Sequence, residues 1–415
     1  MRYEDYIDED YEPTDKDLIC YYTFQHDSSV SFEWAAGGIA AESSIGTWDP
    51  DLATMREGIE DLGAVVYEMD EENQKIKVAY PEDLFEKGNM PQIQSSITGN
   101  IFGLEELERL RVEDVDFSRG LVNSFPGPQL GISGVRDFLN VEERPLVGTI
   151  VKPKLGLNDS QHSEVAFDAW TGGLDIVKDD ENLTSMSFNK FDDRISETLS
   201  KKRDAEKETG EKKVYFPNIT ASLGEMERRA DEVLENGGRY VMIDILTAGW
   251  SAVQEMREYL DGKKVGIHAH RAQHAAYTRL KSHGISMLTI AKFARLVGVD
   301  NLHSGTVVGK MEGGKQEVLD IYDFLRSDYE GLKKTIPVAS GGLHPGMVDE
   351  LMEIFGRDFV IQAGGGVHGH PKGTYSGAKA LRQAVEVCME GESLEEGSEN
   401  KEELAEALDK WGLPA

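Results

Sequence analysis

At 415 residues the chain has room for one large or two ordinary domains, with enough apolar content to bury a sizeable core. Its 44 Lys and Arg against 76 Asp and Glu leave a net charge of −32, which excludes nucleic acid and anionic membrane as natural partners, since both select positive surface. Cys20 and Cys388 are too few and too far apart for a disulfide framework or a thiolate metal site, which points to a reducing compartment. No apolar run approaches the ~18 residues of a membrane helix. No basic-then-apolar leader pattern opens the sequence, so the expected location is the cytoplasm. The acidity runs from DEDYEPTDKD near the start to EGSENKEEL near the end. That distribution fits solvated surface and, more sharply, adaptation to high salt, where screening removes carboxylate repulsion.

Residues 1–125 mix strand and helix patterns: LICYYTFQH, AAGGIAAESS, GAVVYEMD and KIKVAYP, then an expected helix from near Gly103. This predicts a small α+β domain of ferredoxin-like type. From about Val147 a repeated grammar sets in: a short apolar or β-branched run, a polar or glycine-rich loop, then an amphipathic helical pattern. Eight strands are predicted, at 147–151, 174–177, 214–218, 240–245, 265–268, 301–305, 336–340 and 359–363. Between them lie helical segments such as EMERRADEVLENGG and GMVDELMEIFG, several closed by glycine. Eight such units predict an α/β protein whose C-terminal domain, 126–390, is a (β/α)8 barrel, followed by an acidic helical tail at 391–415.

In such a barrel chemistry sits just past the strands' C-terminal ends. That rule selects Lys152 and Lys154, Lys178 with Asp180 and Glu181, Asn218, His268, His270 and Arg271, His303, Ser340 with Gly341 and Gly342, and Gly364 to Gly366. GGGVHG at 364–369 satisfies G-x-G-x-x-G but lacks the following β-α-β chain of a dinucleotide fold. What remains is glycine backbone that lets a phosphate approach, repeated one strand earlier in SGG at 340–342. His268 and His270 have the spacing of a hydrolase metal pair, but Arg271 beside them suits an anion better. His303, taken singly, reads more readily as a hydrogen-bonded core histidine, and on the next strand it could join Arg271 on that anion. Lys310, among Gly309, Gly313 and Gly314, reads as a surface lysine or as a charge on a lid.

GGLDIVKDDENL raises the sharpest question, because Lys178 is crowded by Asp179, Asp180 and Glu181. One reading is an ion-pair cluster at a strand end. The other has the amine take up CO2 as a carbamate, which with Asp180 and Glu181 makes three hard oxygen ligands for Mg2+.

Eight ordered motifs carry a resemblance over nearly the whole chain: AESSIGTW (41–48), GNIFG (99–103), IVKPKLGL (150–157), GGLDIVKDDEN (172–182), HAHRAQH (268–274), HSGTVVGKMEG (303–313), ASGGLHPG (339–346) and QAGGGVHGHP (362–371). In these the sequence resembles the large subunit of ribulose-1,5-bisphosphate carboxylase/oxygenase, RuBisCO, most of all its archaeal form III branch, with a halophilic source. The resemblance implies Mg2+-dependent carboxylation of ribulose 1,5-bisphosphate to two 3-phosphoglycerates, with O2 competing, in salvage of nucleotide-derived ribose. Lys178 would be the carbamylated lysine, with Asp180 and Glu181 as the other metal ligands, and Lys152 the acid/base lysine. Lys310 would stabilise incoming CO2, paired with Glu42. Thr47, Trp48, Gly342, Gly364, Gly365 and Lys310 would hold one phosphate, and Arg271 and His303 the other. His270 and Ser340 would contact sugar hydroxyls, Asn100 would approach metal and substrate, and Lys154 and Gly341 would belong to the substrate site. Glu42, Thr47, Trp48 and Asn100 would reach the site from a second copy. This implies a homodimer with shared active sites, or a higher oligomer of such dimers, with no small subunit. Ile150 and Met311 depart from plant-type relatives, which commonly carry a threonine and a leucine there. The alternatives left open are a RuBisCO-like enolase or isomerase, a silent sugar-phosphate-binding protein, and a hydrolase using His268 and His270.

Overall fold

The structure is a computed structural model that describes residues 2–49, 51–308 and 314–414. The chain forms two compact units, Met1–Pro126 with Gln273–Val297, and Gly127–Ala272 with Gly298–Ala415.

The first unit is built on β1 (Asp17–His26), β2 (Val65–Asp70), β3 (Lys75–Pro81) and β4 (Leu107–Asp116), with helices Phe32–Glu42 and Met90–Ile97 between them. A two-residue strand from the later segment, β10 (Gly284–Ile285), runs parallel to β4. The sheet order is β10-β4-β1-β3-β2, so β1 to β4 make the antiparallel β-α-β-β-α-β arrangement of ferredoxin-like domains. Period-two burial explains β1: Leu18, Cys20, Tyr22 and Phe24 face the core while Tyr21 and Thr23 are partly exposed. Helix Phe32–Glu42 starts where Ser31 accepts the Trp34 N–H at 3.1 Å.

The helix expected from near Gly103 is a correction. Only a short 3-10 turn spans Asn100–Gly103, and the chain then runs as β4. Charged residues in LERLRVEDVD mimic an amphipathic helix, but Leu110, Val112 and Val115 are buried in the sheet. Its charges are satisfied laterally. Arg111 donates to Glu113 at 2.9 Å and to Leu280 O at 2.9 Å, and Lys292 Nζ lies 2.7 Å from Asp114.

The second unit is the barrel: β5 (Leu146–Ile150), β6 (Ile176–Lys178), β7 (Val214–Phe216), β8 (Tyr240–Asp244), β9 (Gly266–His270), β11 (Asn301–His303), β12 (Ile336–Ser340) and β13 (Val360–Gln362). All eight predicted strands are present, paired in parallel in the order β7-β6-β5-β13-β12-β11-β9-β8. The ring closes where Met242 N–H donates to Pro217 O at 2.8 Å and Ile219 N–H to Met242 O at 3.0 Å. Its lower end is filled by helix Gly131–Leu139, whose Ile132, Val135 and Leu139 share one apolar cluster with Leu146, Ile176, Val214, Tyr240, Ile336 and Val360. Asp300 fixes that helix start, accepting the N–H groups of Leu130 at 2.6 Å and Gly131 at 3.0 Å. At the other extreme of the chain, helix Glu402–Trp411 docks on helix Thr374–Glu390. Leu404 and Ala407 are buried there, and Lys379 bonds Glu403 at 2.7 Å.

Gly266 shows how tightly the interior is filled. A Cβ there would lie 2.2 Å from Cε1 of Tyr240, a ring that is itself buried and packed on Phe216 at 4.7 Å. Gly266→Ala is therefore expected to cost about 1–3 kcal/mol through overpacking, read as a lowered thermal midpoint. An unchanged midpoint would show that the Tyr240 ring yields freely.

Candidate active site

The strand ends of the barrel unit gather a polar floor. Lys178 ends β6 facing inward and is buried, its Nζ donating to Asp179 O at 2.8 Å and to Met242 Sδ at 3.5 Å. Burial pushes its ammonium below the usual lysine range, against the pull of Glu181, Asp180, Asp244 and Asp179. Lys152, two residues past β5, places Nζ 2.7 Å from Asp180 Oδ2. For Glu181, burial opposes the charge, but His270, Lys178 and Lys152 outweigh it and hold the carboxyl below its ordinary value. Lys154 is more peripheral and donates to Asn182 Oδ1 at 3.1 Å.

Strand alternation turns Asp179 away from this floor. Its buried carboxylate meets Arg194 Nε and Nη2 at 3.2 Å and His162 Nε2 at 3.2 Å, accepts the Asn218 N–H at 2.9 Å, and accepts the Tyr215 hydroxyl. Burial alone would raise the Asp179 carboxyl, yet Arg194 and His162, with the Tyr215 hydrogen bond, bring it down to about 2. Arg194 continues to Asn189 Oδ1 and Thr184 O, both at 2.7 Å, while Asn218 Nδ2 holds Glu181 O at 3.0 Å. The loop carrying Lys178, Asp180 and Glu181 is thus tied from behind to three other elements. The sequence reading counted Asp179 only as one of the acids crowding Lys178; the alternation of KDD was the signal that its side chain points the other way.

Three histidines cluster along the next strands. His270 ends β9 with Nδ1 3.1 Å from Asp244 Oδ1 and Nε2 3.6 Å from Glu181 Oε2. His303 ends β11 with Nδ1 2.8 Å from Ser340 Oγ at the end of β12. The His303 ring sits edge-on to both His270 and His268 at 4.8 Å. His268 lies deeper, stacked on Phe216 at 4.4 Å, and burial drives its pKa and that of His303 well below the usual histidine range. The hydrolase pairing loses support here, because His268 faces an aromatic ring while His270 faces carboxylates. Arg271 lies over Gly305, whose added Cβ would stand 3.1 Å from Nη2.

The two glycine loops adjoin. Gly341 and Gly342 have φ of +113° and +71°, which glycine alone adopts easily. A Cβ on Gly366 would lie 2.1 Å from Leu343 O, so the loop after β13 packs directly on the loop after β12. Gly365 opens to free space, and a Cβ on Gly364 would be 3.4 Å from Lys152 Cε.

Of the residues expected from the N-terminal unit, Glu42 accepts Tyr3 OH at 2.7 Å and Asn100 Nδ2 at 3.4 Å. Thr47 is half-buried, and Trp48 is 80% exposed, unusual for so large an apolar ring. Lys310 lies outside the described residues.

The donor set bears on the implied metal and activator. Among the described residues, no three His, Cys, Asp or Glu side chains form a group able to hold a metal ion. Asp180 and Glu181 are two, and a carbamate on Lys178 would be the third. The uncharged amine that burial favours is the form that takes up CO2. The residues therefore fit Mg2+ with a carbamylated lysine.

Comparison with known proteins agrees with this geometry. Residues 131–411 match the family model "Ribulose bisphosphate carboxylase large chain, catalytic domain", and residues 5–120 its N-terminal domain. The ribulose bisphosphate carboxylase of Methanosarcina barkeri is 48% identical over 422 residues, covering 98% of this chain and 99% of the relative. That of Pyrococcus furiosus is 49% identical over 411 residues, covering 99% and 98%. Among solved structures, the octameric Rubisco of Pyrococcus horikoshii in complex with sulfate superposes with a TM-score of 0.96 at 47% identity, covering 100% of this chain and 98% of that one. The dimeric archaeal Rubisco of Hyperthermus butylicus gives 0.94 at 43% identity, covering 99% and 100%. No helix among the described residues is long and apolar enough to cross a membrane. With both domain profiles matched and identity near one half from end to end, the chain belongs to the ribulose bisphosphate carboxylase large-chain family, a family of carboxy-lyases.

Proposed function

We propose that the chain carboxylates ribulose 1,5-bisphosphate to two molecules of 3-phosphoglycerate, with O2 as a competing substrate. The observation that carries the reading is Lys178: a buried amine pushed toward its uncharged form, beside Asp180 and Glu181. Lys178, Asp180 and Glu181 would hold Mg2+ once Lys178 has taken up CO2. When bound, the ion would polarise the substrate's C2 and C3 oxygens.

The remaining work falls to side chains. Lys178 in its activated form would take the C3 proton, and Lys152 would return a proton at C2 after C2–C3 cleavage. His270, held between Asp244 and Glu181, and Ser340, held by His303, would orient sugar hydroxyls. Arg271 and His303 would bind one phosphate; Gly342, Gly364 and Gly365 would bind the other with Thr47, Trp48 and Lys310, and Gly341 and Lys154 would border the substrate. Lys310, paired with Glu42, would stabilise the new carboxylate, and Asn100 would approach metal and substrate. One CO2 and one water added to a five-carbon bisphosphate account for two three-carbon products.

The relatives' structures are octameric and dimeric, which supports a homodimer with shared sites or an assembly of such dimers here. The archaeal relatives support a form III-like enzyme, for which the resemblance in sequence implies a role in ribose salvage, and the charge of −32 supports function in molar salt. Labelled CO2 is expected to enter 3-phosphoglycerate at molar KCl only after preincubation with CO2 and Mg2+, and chelation before substrate should remove the activity. Turnover of the bisphosphate without CO2 in the product would replace this reading by an enolase or isomerase. Binding with no turnover across salt concentrations would replace it by a binding protein.

A further inference from the structure

His368 lies inside the GGGVHG run, yet no role in the reaction drew on it. Its imidazole Nε2 is 2.9 Å from Ile150 O and 2.9 Å from Thr149 Oγ1, and Nδ1 is 3.0 Å from Thr374 Oγ1. A carbonyl only accepts, so Nε2 carries the hydrogen and Nδ1 is left bare to accept from the Thr374 hydroxyl. Thr149 spends its own proton on Ala363 O at 2.7 Å, so its oxygen also faces Nε2–H as an acceptor. Burial, reinforced by the charge of Lys152, brings the imidazole down to about 4, against the pull of Ile150 O. The neutral tautomer therefore persists at ordinary pH.

The backbone explains what this ring holds. The N–H groups of His368 and Gly369 donate to Gly364 O at 3.1 Å and Gly365 O at 2.9 Å, so residues 364–369 make a single turn. Gly364, Gly365, Gly366 and Gly369 have no side chains with which to fix that turn, and glycine has the most backbone freedom to lose. The imidazole pins it to the end of β5, two residues before Lys152, and to Thr374 at the start of helix Thr374–Glu390. Across this junction a Cβ on Gly364 would come within 3.4 Å of Lys152 Cε. The glycine backbone and the lysine amine thus share one mechanical support.

We propose that His368 is a positioning residue that clamps the glycine turn to β5, setting the distance between the phosphate-contacting Gly364 and Gly365 and the amine of Lys152. This rests on the reading of those glycines as phosphate contacts. Misplacement by about an ångström can cost a reaction on the order of 10²-fold, so a turn made of glycine needs such a tether.

The test compares His368→Leu, His368→Gln and Thr374→Val in the full chain with the parent. Gln can donate to Ile150 O from its terminal amide, and Leu cannot. His368→Leu is expected to raise the KM for ribulose 1,5-bisphosphate about five- to tenfold while lowering kcat by less than about threefold. His368→Gln should bring KM back to within about twofold of the parent. The CO2 and Mg2+ concentrations for half-activation should stay put in both, which separates this role from general damage to the site. A KM for His368→Leu within about twofold of the parent, or a Gln variant as impaired as the Leu variant, overturns the proposal. Should His368→Leu fail to fold, Thr374→Val decides: freeing Nδ1 is expected to raise KM about two- to threefold, and no change overturns the proposal. A parent that makes no 3-phosphoglycerate defeats the underlying functional reading, and this inference with it; an active parent with unmoved variants defeats this inference alone.

Discussion

Replacing Lys178 with alanine is expected to abolish the dependence on CO2 and Mg2+ and to lower carboxylation by on the order of 10³-fold or more. The reason is arithmetic as well as geometric. Asp180 and Glu181 leave an oxygen set one member short, and among the described residues no other carboxylate, imidazole or thiol completes it. The substitution removes a buried amine that, among the described residues, is bound only to Asp179 O and Met242 Sδ, so it takes away a desolvated polar group and spares the ion pairs behind the loop. The variant should therefore fold and still bind sugar bisphosphate. Trapping labelled activator CO2 on the protein, alongside the carboxylation assay, checks both halves. A variant that retains CO2-dependent activity within tenfold of the parent would sink the assignment of Lys178.

The largest effect on stability is expected at Asp179. Asp179→Ala strips the buried Arg194 guanidinium of its charge partner and removes the acceptor for Tyr215 OH and the Asn218 N–H. Breaking a buried pair from one side costs about 3–5 kcal/mol, because the remaining charge stays desolvated. The barrel's unfolding transition should move to markedly lower temperature or denaturant. Surviving folded protein should also need more CO2 and Mg2+ for half-activation, since the carboxylate fixes the backbone between Lys178 and Asp180. Replacing Asp179 and Arg194 together by apolar residues should recover part of the loss. Equal midpoints for parent and Asp179→Ala would show that Arg194 finds full compensation in Asn189 and Thr184 O.

Much of this architecture is legible in the sequence, and the exceptions share a cause. The barrel strands are short apolar runs because both faces of a parallel sheet are covered, and each of the eight predicted runs holds a strand. Lys152, Lys178, His270, His303 and Ser340 could be found because a strand end is a local feature. β4 was missed because its core face is carried by only Leu110, Val112 and Val115 among charged neighbours, and its pairing with β1 is irregular. The tether of Asp179 to His162, Arg194 and Tyr215 joins residues up to 36 positions apart, and that of His368 to Thr149 spans 219. Such pairings are written by the closure of the barrel and leave no spacing rule in the chain. The ion pair of Lys152 with Asp180 belongs to the same class: both residues were singled out, but their contact was not.

The helix Gly131–Leu139 under the barrel has one more implication. With Ile132, Val135 and Leu139 wedged among the first inward side chains of the strands, the barrel is a cul-de-sac. Whatever reacts among the strand ends must arrive and depart through the same doorway. On the proposed reaction, two product molecules would have to vacate the path that the next bisphosphate takes, so traffic through a single entrance would become part of the cycle. Accumulated product would then compete with substrate for entry, a constraint on access imposed by a plug at the opposite end of the barrel from the strand ends.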